Sequence, residues 1–254
     1  MMKRYLDLSN NNASVDLAQV KKDGIAGVIL KATEGATYVD DTFASRYRDA
    51  QTVGLQRGAY CFARPETSNA LVEANHFVET VGACGGFDVW PELGDRIPAV
   101  LDLEDPGHLD ADGLQEYAII WLTRVEELTG KKGGLYTGEA FCQQYGLEVI
   151  EQKGYFLWIA AYGQTEPDLK EVLWQETDAA HVAGIVGNVD EDVLTPLNPV
   201  VSTKYLDYYV WGGDSLSSIA VKYHTTIAEL MKLNPHITNP NLIRVGDRLR
   251  IPMR

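Results

Sequence analysis

Five strand-like segments, each followed by a helical one, succeed one another between Arg4 and Tyr145, and this rhythm limits the fold more than any other feature of the chain. Arg4 to Ser9 reads as a strand and Ser14 to Lys22 as a helix that Gly24 ends; Ile25 to Thr33 is the second strand, and a helix over Asp41 to Val53 stops at Gly54. The pattern recurs with Arg57 to Ala63 and Thr67 to Val81, with Ile97 to Pro106 and Ala111 to Leu128, and with Gly133 to Thr137 and Glu139 to Tyr145. Each helix supplies a crossover, so parallel strands are expected. Tyr155 to Tyr162, Val172 to Thr177 and Gly187 to Val193 read as three more strands, but the gaps between them are short for parallel crossovers, which need about a dozen residues. The expected fold is α/β: an eight-stranded β/α barrel of five β/α units and then three strands joined without full helices. A regular eightfold β/α barrel is the alternative.

Such barrels carry their chemistry on the loops that leave the C-terminal strand ends. Acids fall there. Along Ile97-Pro98-Ala99-Val100-Leu101-Asp102-Leu103-Glu104-Asp105-Pro106, alternation puts Val100, Asp102 and Glu104 on one face and Ala99, Leu101 and Leu103 on the other. Same-face neighbours lie about 6.6 Å apart, close enough for Asp102 and Glu104 to act on adjacent atoms of one substrate. Asp7 ends the first strand, and Asp190 lies on the last strand, beside the first. Tyr60, Phe62, Tyr136, Trp158, Tyr162, Trp174 and Gln175 fall at or near the same ends. Acids ringed by aromatics suit a sugar, whose C–H faces stack on rings while its hydroxyls take hydrogen bonds. An isolated D-x-E also suits a solvated strand end, aromatic side chains on barrel strands also serve as core filler, and four acids also suit a divalent cation.

Other chemistries find less support. The histidines show no H-E-x-x-H and no zinc spacing, and no cysteine opens a helix beside a base. Cys61, Cys84 and Cys142 are an odd number without paired spacing, which fits a reducing compartment, and Cys61 reads as a small buried hydrophobe. No apolar h-region precedes Asp7, so no Sec-type signal is expected, and no run is long enough for a membrane span. A net charge of −14 argues against nucleic acid. The charge is uneven: residues 204 to 254 hold 7 of the 22 basic side chains but only 4 of the 36 acidic ones. Thr195-Pro196-Leu197-Asn198-Pro199 begins an uncharged stretch that reads as a linker, placing a catalytic domain at 1–195, the linker at 196–206 and a small domain at 207–254.

Asp7, Lys31-Ala32-Thr33-Glu34-Gly35, Gly58-Ala59-Tyr60-Cys61-Phe62, Leu101-Asp102-Leu103-Glu104, Leu135-Tyr136-Thr137-Gly138, Trp158-Ile159-Ala160-Ala161-Tyr162, Trp174-Gln175 and Asn188-Val189-Asp190, in that order, resemble glycoside hydrolase family 25 lysozymes. The resemblance spans nearly all of residues 3 to 195. It implies a β/α barrel and hydrolysis of the β-1,4 bond between N-acetylmuramic acid and N-acetylglucosamine. It also implies Glu104, Asp102, Asp7 and Asp190 as catalytic residues, and Lys31, Tyr60, Phe62, Tyr136, Trp158, Tyr162, Trp174 and Gln175 as sugar contacts. The chain departs at Cys61, where the family commonly has His, next to the sugar contact Tyr60. Glycosidic cleavage needs a proton donor, and Glu104, the longest-reaching acid, is assigned that role. Repulsion among the four acids should raise the proton affinity of whichever holds a shared proton. Asp102 would orient the substrate's N-acetyl group, as in substrate-assisted retaining glycosidases; inversion through a water activated by Asp7 or Asp190 is the second route.

Tyr209-Val210-Trp211-Gly212-Gly213-Asp214-Ser215-Leu216, followed by Asn234-Pro235, Asn239-Pro240-Asn241 and Val245-Gly246-Asp247-Arg248-Leu249, resembles a LysM domain, and the residues read independently as a β-α-α-β unit. The resemblance implies a glycan groove between two loops, here Gly213, Asp214, Ser215 and Leu216 and, facing them, Asn241, Leu242 and Ile243. The whole resembles a bacteriophage endolysin: a monomer that waits in the host cytoplasm and then acts on bacterial peptidoglycan at the wall, without cofactor, metal or membrane insertion. A metal-dependent hydrolase using the same acids and a non-catalytic wall-binding protein are the alternatives.

Overall fold

The computed structural model describes residues 3–163, 167, 173–194, 205–210, 214–223, 225–234, 237, 239–240, 242–244 and 247–252. The chain divides into two compact units, Met1–Leu197 and Asn198–Arg254. In the first, strands β1 (Lys3–Leu8), β2 (Gly27–Glu34), β4 (Gln56–Phe62), β5 (Ala99–Asp102), β6 (Gly134–Gly138), β7 (Phe156–Ala160), β8 (Leu173–Ala180) and β9 (Val189–Leu194) form one closed barrel, sealed where β1 pairs with β2. A two-residue strand, β3 (Tyr38–Val39), pairs antiparallel with the end of β2. Between the strands run α1 (Leu17–Lys22), α2 (Phe43–Val53), α3 (Ala70–Ala83), α4 (Ala111–Thr129), α5 (Glu139–Tyr145) and α6 (Val149–Gln152). The sequence reading does not foresee β3 or α6.

Seven barrel strands are parallel, and β9 runs antiparallel to both of its neighbours, β8 and β1. Eight residues separate β8 from β9, too few for a parallel crossover, and the regular eightfold barrel is thereby excluded. The reversal corrects one detail of the sequence reading: Asp190 lies at the N-terminal end of its strand, not the C-terminal end. Because that strand is inverted, its start stands at the rim where the other strands finish.

Alternation along each strand sorts side chains into two cores. Tyr5, Ile29, Tyr60, Val100, Tyr136, Phe156, Trp158 and Leu173 point inward and fill the barrel, which Trp90 and, from the 3-10 turn that follows it (Pro91–Leu93), Leu93 plug at its base; Trp90 stacks on Tyr5 with centroids 4.7 Å apart. Leu30, Ala59, Cys61, Leu101, Leu135 and Ile159 point outward and pack under the helices, where Phe77 of α3 meets Trp121 of α4 at 5.1 Å. The helices begin and end on local signals: Asp16, Asn69 and Asp110 cap α1, α3 and α4 with their side chains, and Gly54 and Gly130 close α2 and α4 in the left-handed region.

The second unit pairs β10 (Tyr205–Tyr209) antiparallel with β11 (Arg248–Pro252) around α7 (Leu216–Lys222) and α8 (Ile227–Leu233). Its core is Tyr208, Val210, Leu216, Ile219, Leu230, Ile237, Leu249 and Ile251. Capping boxes at Ser215/Ser218 and Thr226/Glu229 start its helices. Buried Asn234 ties the end of α8 to β11, donating to the carbonyls of Leu230 (2.7 Å) and Arg250 (2.8 Å) and accepting from the Arg250 amide (2.7 Å).

One close approach in the barrel generates a prediction. Gly134 lies opposite Phe156, and a Cβ there would stand 2.4 Å from the Phe156 ring. Gly134→Ala should overpack the interior and lower stability by about 1–3 kcal/mol. Denaturant unfolding measures this, and Phe156→Leu in the same chain should recover part of the loss.

Candidate active site

The C-terminal rim of the barrel opens into a cavity of about 240 Å³ lined by Asp7, Ser9, Asn11, Asn12, Lys31, Tyr60, Phe62, Asp102, Glu104, Tyr136, Trp158 and Asp190. All four acids singled out in the sequence therefore meet. Asp102 ends β5 and is buried, while Glu104, two residues on, is exposed in the loop beyond. Asp7 and Asp190 are directly opposed across the β1–β9 ladder, which holds their side chains on one face about 5 Å apart.

Burial decides how these acids hold protons. Burial first, and then the neighbouring Asp190 charge, pushes the Asp7 carboxyl well above the usual carboxylate range. Asp190 is raised by burial too, with its hydrogen bond to Asp7 acting the other way. Burial and then the charge of Glu104 raise Asp102. Asp7 and Asp102, the deep acids, thus bind protons more tightly than a free aspartate does. Lys31, the one cation lining the cavity among the described residues, is held 2.5 Å from Glu34. A register shift between Lys31 and Thr33 brings these two residues, three apart, onto one face of β2.

Of the predicted sugar contacts, Lys31, Tyr60, Phe62, Tyr136 and Trp158 line the cavity, whereas Tyr162, Gln175 and Trp174 do not. Gln175 is a buried hub. Its Oε1 accepts from Tyr136 Oη (2.8 Å) and Tyr162 Oη (2.6 Å), and its Nε2 donates to Asp7 Oδ2 (2.7 Å). Trp174, its neighbour in sequence, faces the other way into the outer core and donates to the Ala161 carbonyl at 2.8 Å. Cys61 likewise points outward, fully buried, with Sγ 4.0 Å from Glu73 Oε2. Tyr60 and Phe62 therefore face the cavity and Cys61, between them, does not.

The structure adds residues that sequence reasoning missed. Ser9, Asn11 and Asn12 line the cavity from the loop after β1, which Arg46 holds through the carbonyls of Ser9 (2.6 Å) and Asn12 (2.5 Å) and Asp40 through the Asn10 amide (2.9 Å). Their place directly after Asp7 was the available signal. Asp192, wholly buried on β9, accepts from Trp158 Nε1 at 2.8 Å, and its Oδ2 meets no partner among the described residues. Its signal was the two-residue spacing from Asp190, which puts both on one face. Also among the described residues, no three His, Cys, Asp or Glu side chains are grouped to hold a metal ion.

In the second unit, Leu216 is buried in the core, Ser215 caps α7, and Asp214 accepts from Tyr208 Oη at 2.6 Å. Leu242 is exposed and Ile243 packs partly against the core; Gly213 and Asn241 lie outside the described residues.

Asp192 yields a pH prediction. Burial, and next the charge of Asp7, holds its carboxyl well above its ordinary value of 3.8. A carboxyl that binds its proton more tightly when folded favours folding fully below its unfolded value and loses that contribution as pH climbs toward the folded one. Asp192→Asn keeps an acceptor for Trp158 and removes the titration. Within that window it should gain on the parent by up to about 1.4 kcal/mol per pH unit. Melting temperatures of both proteins at about pH 5 and pH 8 measure the gain, and a difference that does not grow with pH would show that Asp192 ionises as freely folded as unfolded.

Comparison with known proteins agrees with this geometry. The family model "Glycosyl hydrolases family 25" matches residues 6–185, and the LysM domain model matches 208–252. The chain is similar to the uncharacterized protein YegX of Escherichia coli K12, with 34% identity over 201 residues, 74% of this chain and 68% of that protein. It is also similar to Lysozyme M1 of Streptomyces globisporus, with 28% identity over 200 residues, 74% of this chain and 66% of the other. Among solved structures, the bacterial lysozyme from Streptomyces coelicolor superposes with a TM-score of 0.68 at 25% identity, covering 80% of this chain and 94% of that one. With the family match extending over most of the barrel, including Asp7, Asp102 and Glu104, the chain belongs to glycosyl hydrolase family 25 and carries a LysM domain after the barrel.

Proposed function

We propose that this family 25 enzyme is a lysozyme of the endolysin type, cleaving the β-1,4 bond between N-acetylmuramic acid and N-acetylglucosamine in peptidoglycan, with Glu104 as the general acid. The observation that carries the reading is the meeting of Asp7, Asp102, Glu104 and Asp190 in one aromatic-walled cavity. Glu104 stands exposed at the edge of the cavity, and Asp102, whose carboxyl burial pushes well above the usual range, lies two residues back on the same face. Asp102 would then steer the 2-acetamido group of the sugar onto the anomeric carbon, giving retention. A second reading has its own support. Asp7 and Asp190 face Asp102 and Glu104 across the barrel mouth, the arrangement by which an inverting enzyme holds water on the far side of the sugar.

Two measurements test the chemistry together. Glu104→Gln should reduce turnover by about 10² to 10⁴, the usual worth of a positioned general acid. Proton NMR of the first-formed anomer then separates the routes: a β-anomer supports retention through Asp102, and an α-anomer supports inversion. Near-normal turnover in folded Glu104→Gln would overturn the assignment.

The LysM unit is proposed to hold the enzyme at the wall, raising local substrate concentration and adding nothing to the chemistry. Its glycan groove is assigned to the loops bearing Asp214 and Leu242, with Gly213 and Asn241 beside them. Cys61, Cys84 and Cys142 are free thiols, which supports a stage in a reducing cytoplasm before the enzyme reaches the wall. No described helix is long and apolar enough to cross a membrane. Truncation after Leu197 should preserve cleavage of short soluble glycans and reduce lysis of whole walls. Equal loss on both substrates by a folded barrel would remove the tethering role.

A further inference from the structure

Two tyrosines stand at opposite sides of the barrel mouth with their rings exposed. Around the closed barrel the order is β1, β9, β8, β7, β6, β5, β4, β2, so β2 and β7 are four strands apart by either route. Tyr38, 42% exposed, sits on β3 opposite Glu34 at the end of β2; Tyr162, 48% exposed, comes just after the end of β7. The acids occupy the other diameter. Asp190 on β9, with Asp7 beside it, faces Asp102 and Glu104 at the end of β5, again four strands away. Line of acids and line of tyrosines therefore cross at right angles over the cavity. Eight strands about 4.8 Å apart and tilted by about 36° make a barrel about 15 Å across at the backbone, wider than one pyranose ring.

Both rings are oriented before any ligand arrives. Tyr38 Oη accepts from Asn10 Nδ2 at 3.1 Å, and Nζ of the cavity residue Lys31 lies 5.8 Å from the ring centroid. Tyr162 Oη donates to Gln175, the hub that also binds Asp7. A ring held by its hydroxyl with one face in water gives up little freedom when a sugar stacks on it. Tyr38 contributes to neither hydrophobic core of the barrel, so burial does not explain an aromatic side chain on a two-residue edge strand.

We propose that Tyr38 and Tyr162 are the two outer sugar platforms of a glycan path that crosses the mouth from β2 to β7, presenting a bond within the chain to acids on either side. The inference rests on the muramidase reading above and extends it to Tyr38 and to the direction of the strand.

The test uses the full chain and uncross-linked glycan strands of defined length, a tetrasaccharide and an octasaccharide of alternating N-acetylglucosamine and N-acetylmuramic acid. The parent enzyme should prefer the octasaccharide in kcat/KM. Tyr38→Ala and Tyr162→Ala should each reduce that preference about tenfold, mainly through KM. They should also move the favoured cleavage position in opposite directions along the octasaccharide, while Tyr38→Trp keeps the parental pattern. Equal losses on both lengths, or an unchanged product pattern in variants that melt like the parent, would overturn the path while leaving the hydrolase intact. A parent that cleaves neither oligosaccharide overturns the muramidase reading itself, and the path with it.

Discussion

Antiparallel insertion of β9 between β8 and β1 is the constraint on which the acid-lined cavity depends. It closes the barrel and, through the register Asp7↔Asp190, forces two carboxylates to face each other on one side of a ladder. Like charges so placed repel, and burial removes the water that would screen them. Sharing a proton relieves the conflict, which is why Asp7 holds one at pH values where a free aspartate would not. Closure also places this pair across the mouth from Asp102 and Glu104. A substrate entering between them meets acid groups on both sides.

The polar layer is held from below and from the side. Gln175 links Asp7 to Tyr136 and Tyr162, and Asp192 fixes Trp158, whose ring meets Tyr136 with centroids 4.6 Å apart. The interior stack ending at Tyr5 and Trp90 supplies a packed, apolar floor. Such a floor strengthens every charge interaction above it and makes each unpaired polar atom costly. Among the described residues Asp102 Oδ1 and Asp192 Oδ2 meet no hydrogen-bond partner, a cost in stability that the site carries.

The second unit meets a different demand with few residues. It has little apolar surface to bury, and two capping boxes and the Asn234 bridge satisfy backbone groups that a larger core would enclose. Leu216 illustrates the economy: placed on the glycan loop by its position in the sequence, it is used as core.

Much of this was local and hence readable in one dimension. Period-two alternation put Val100, Asp102 and Glu104 on one face, helix caps and glycines punctuated the β/α units, and the rim rule gathered Asp7, Asp102 and Glu104, whereas Asp190 reaches the same rim only because β9 is reversed. Alternation also says that Trp174 and Gln175 cannot both face inward, yet not which one does, because a one-residue change of register exchanges the faces. Closure of the sheet made that choice, sending Trp174 and Cys61 to the outer core. The direction of β9, the register shift that brings Lys31 and Glu34 together, and the position of Tyr38 across from Tyr162 likewise depend on pairings between distant segments. The sequence by itself determined which acids approach the barrel rim and roughly where each element starts and stops; the tertiary structure decided which side chains face the cavity and which acids bind protons more tightly than free ones, because facing and desolvation exist only once the ring of strands is closed.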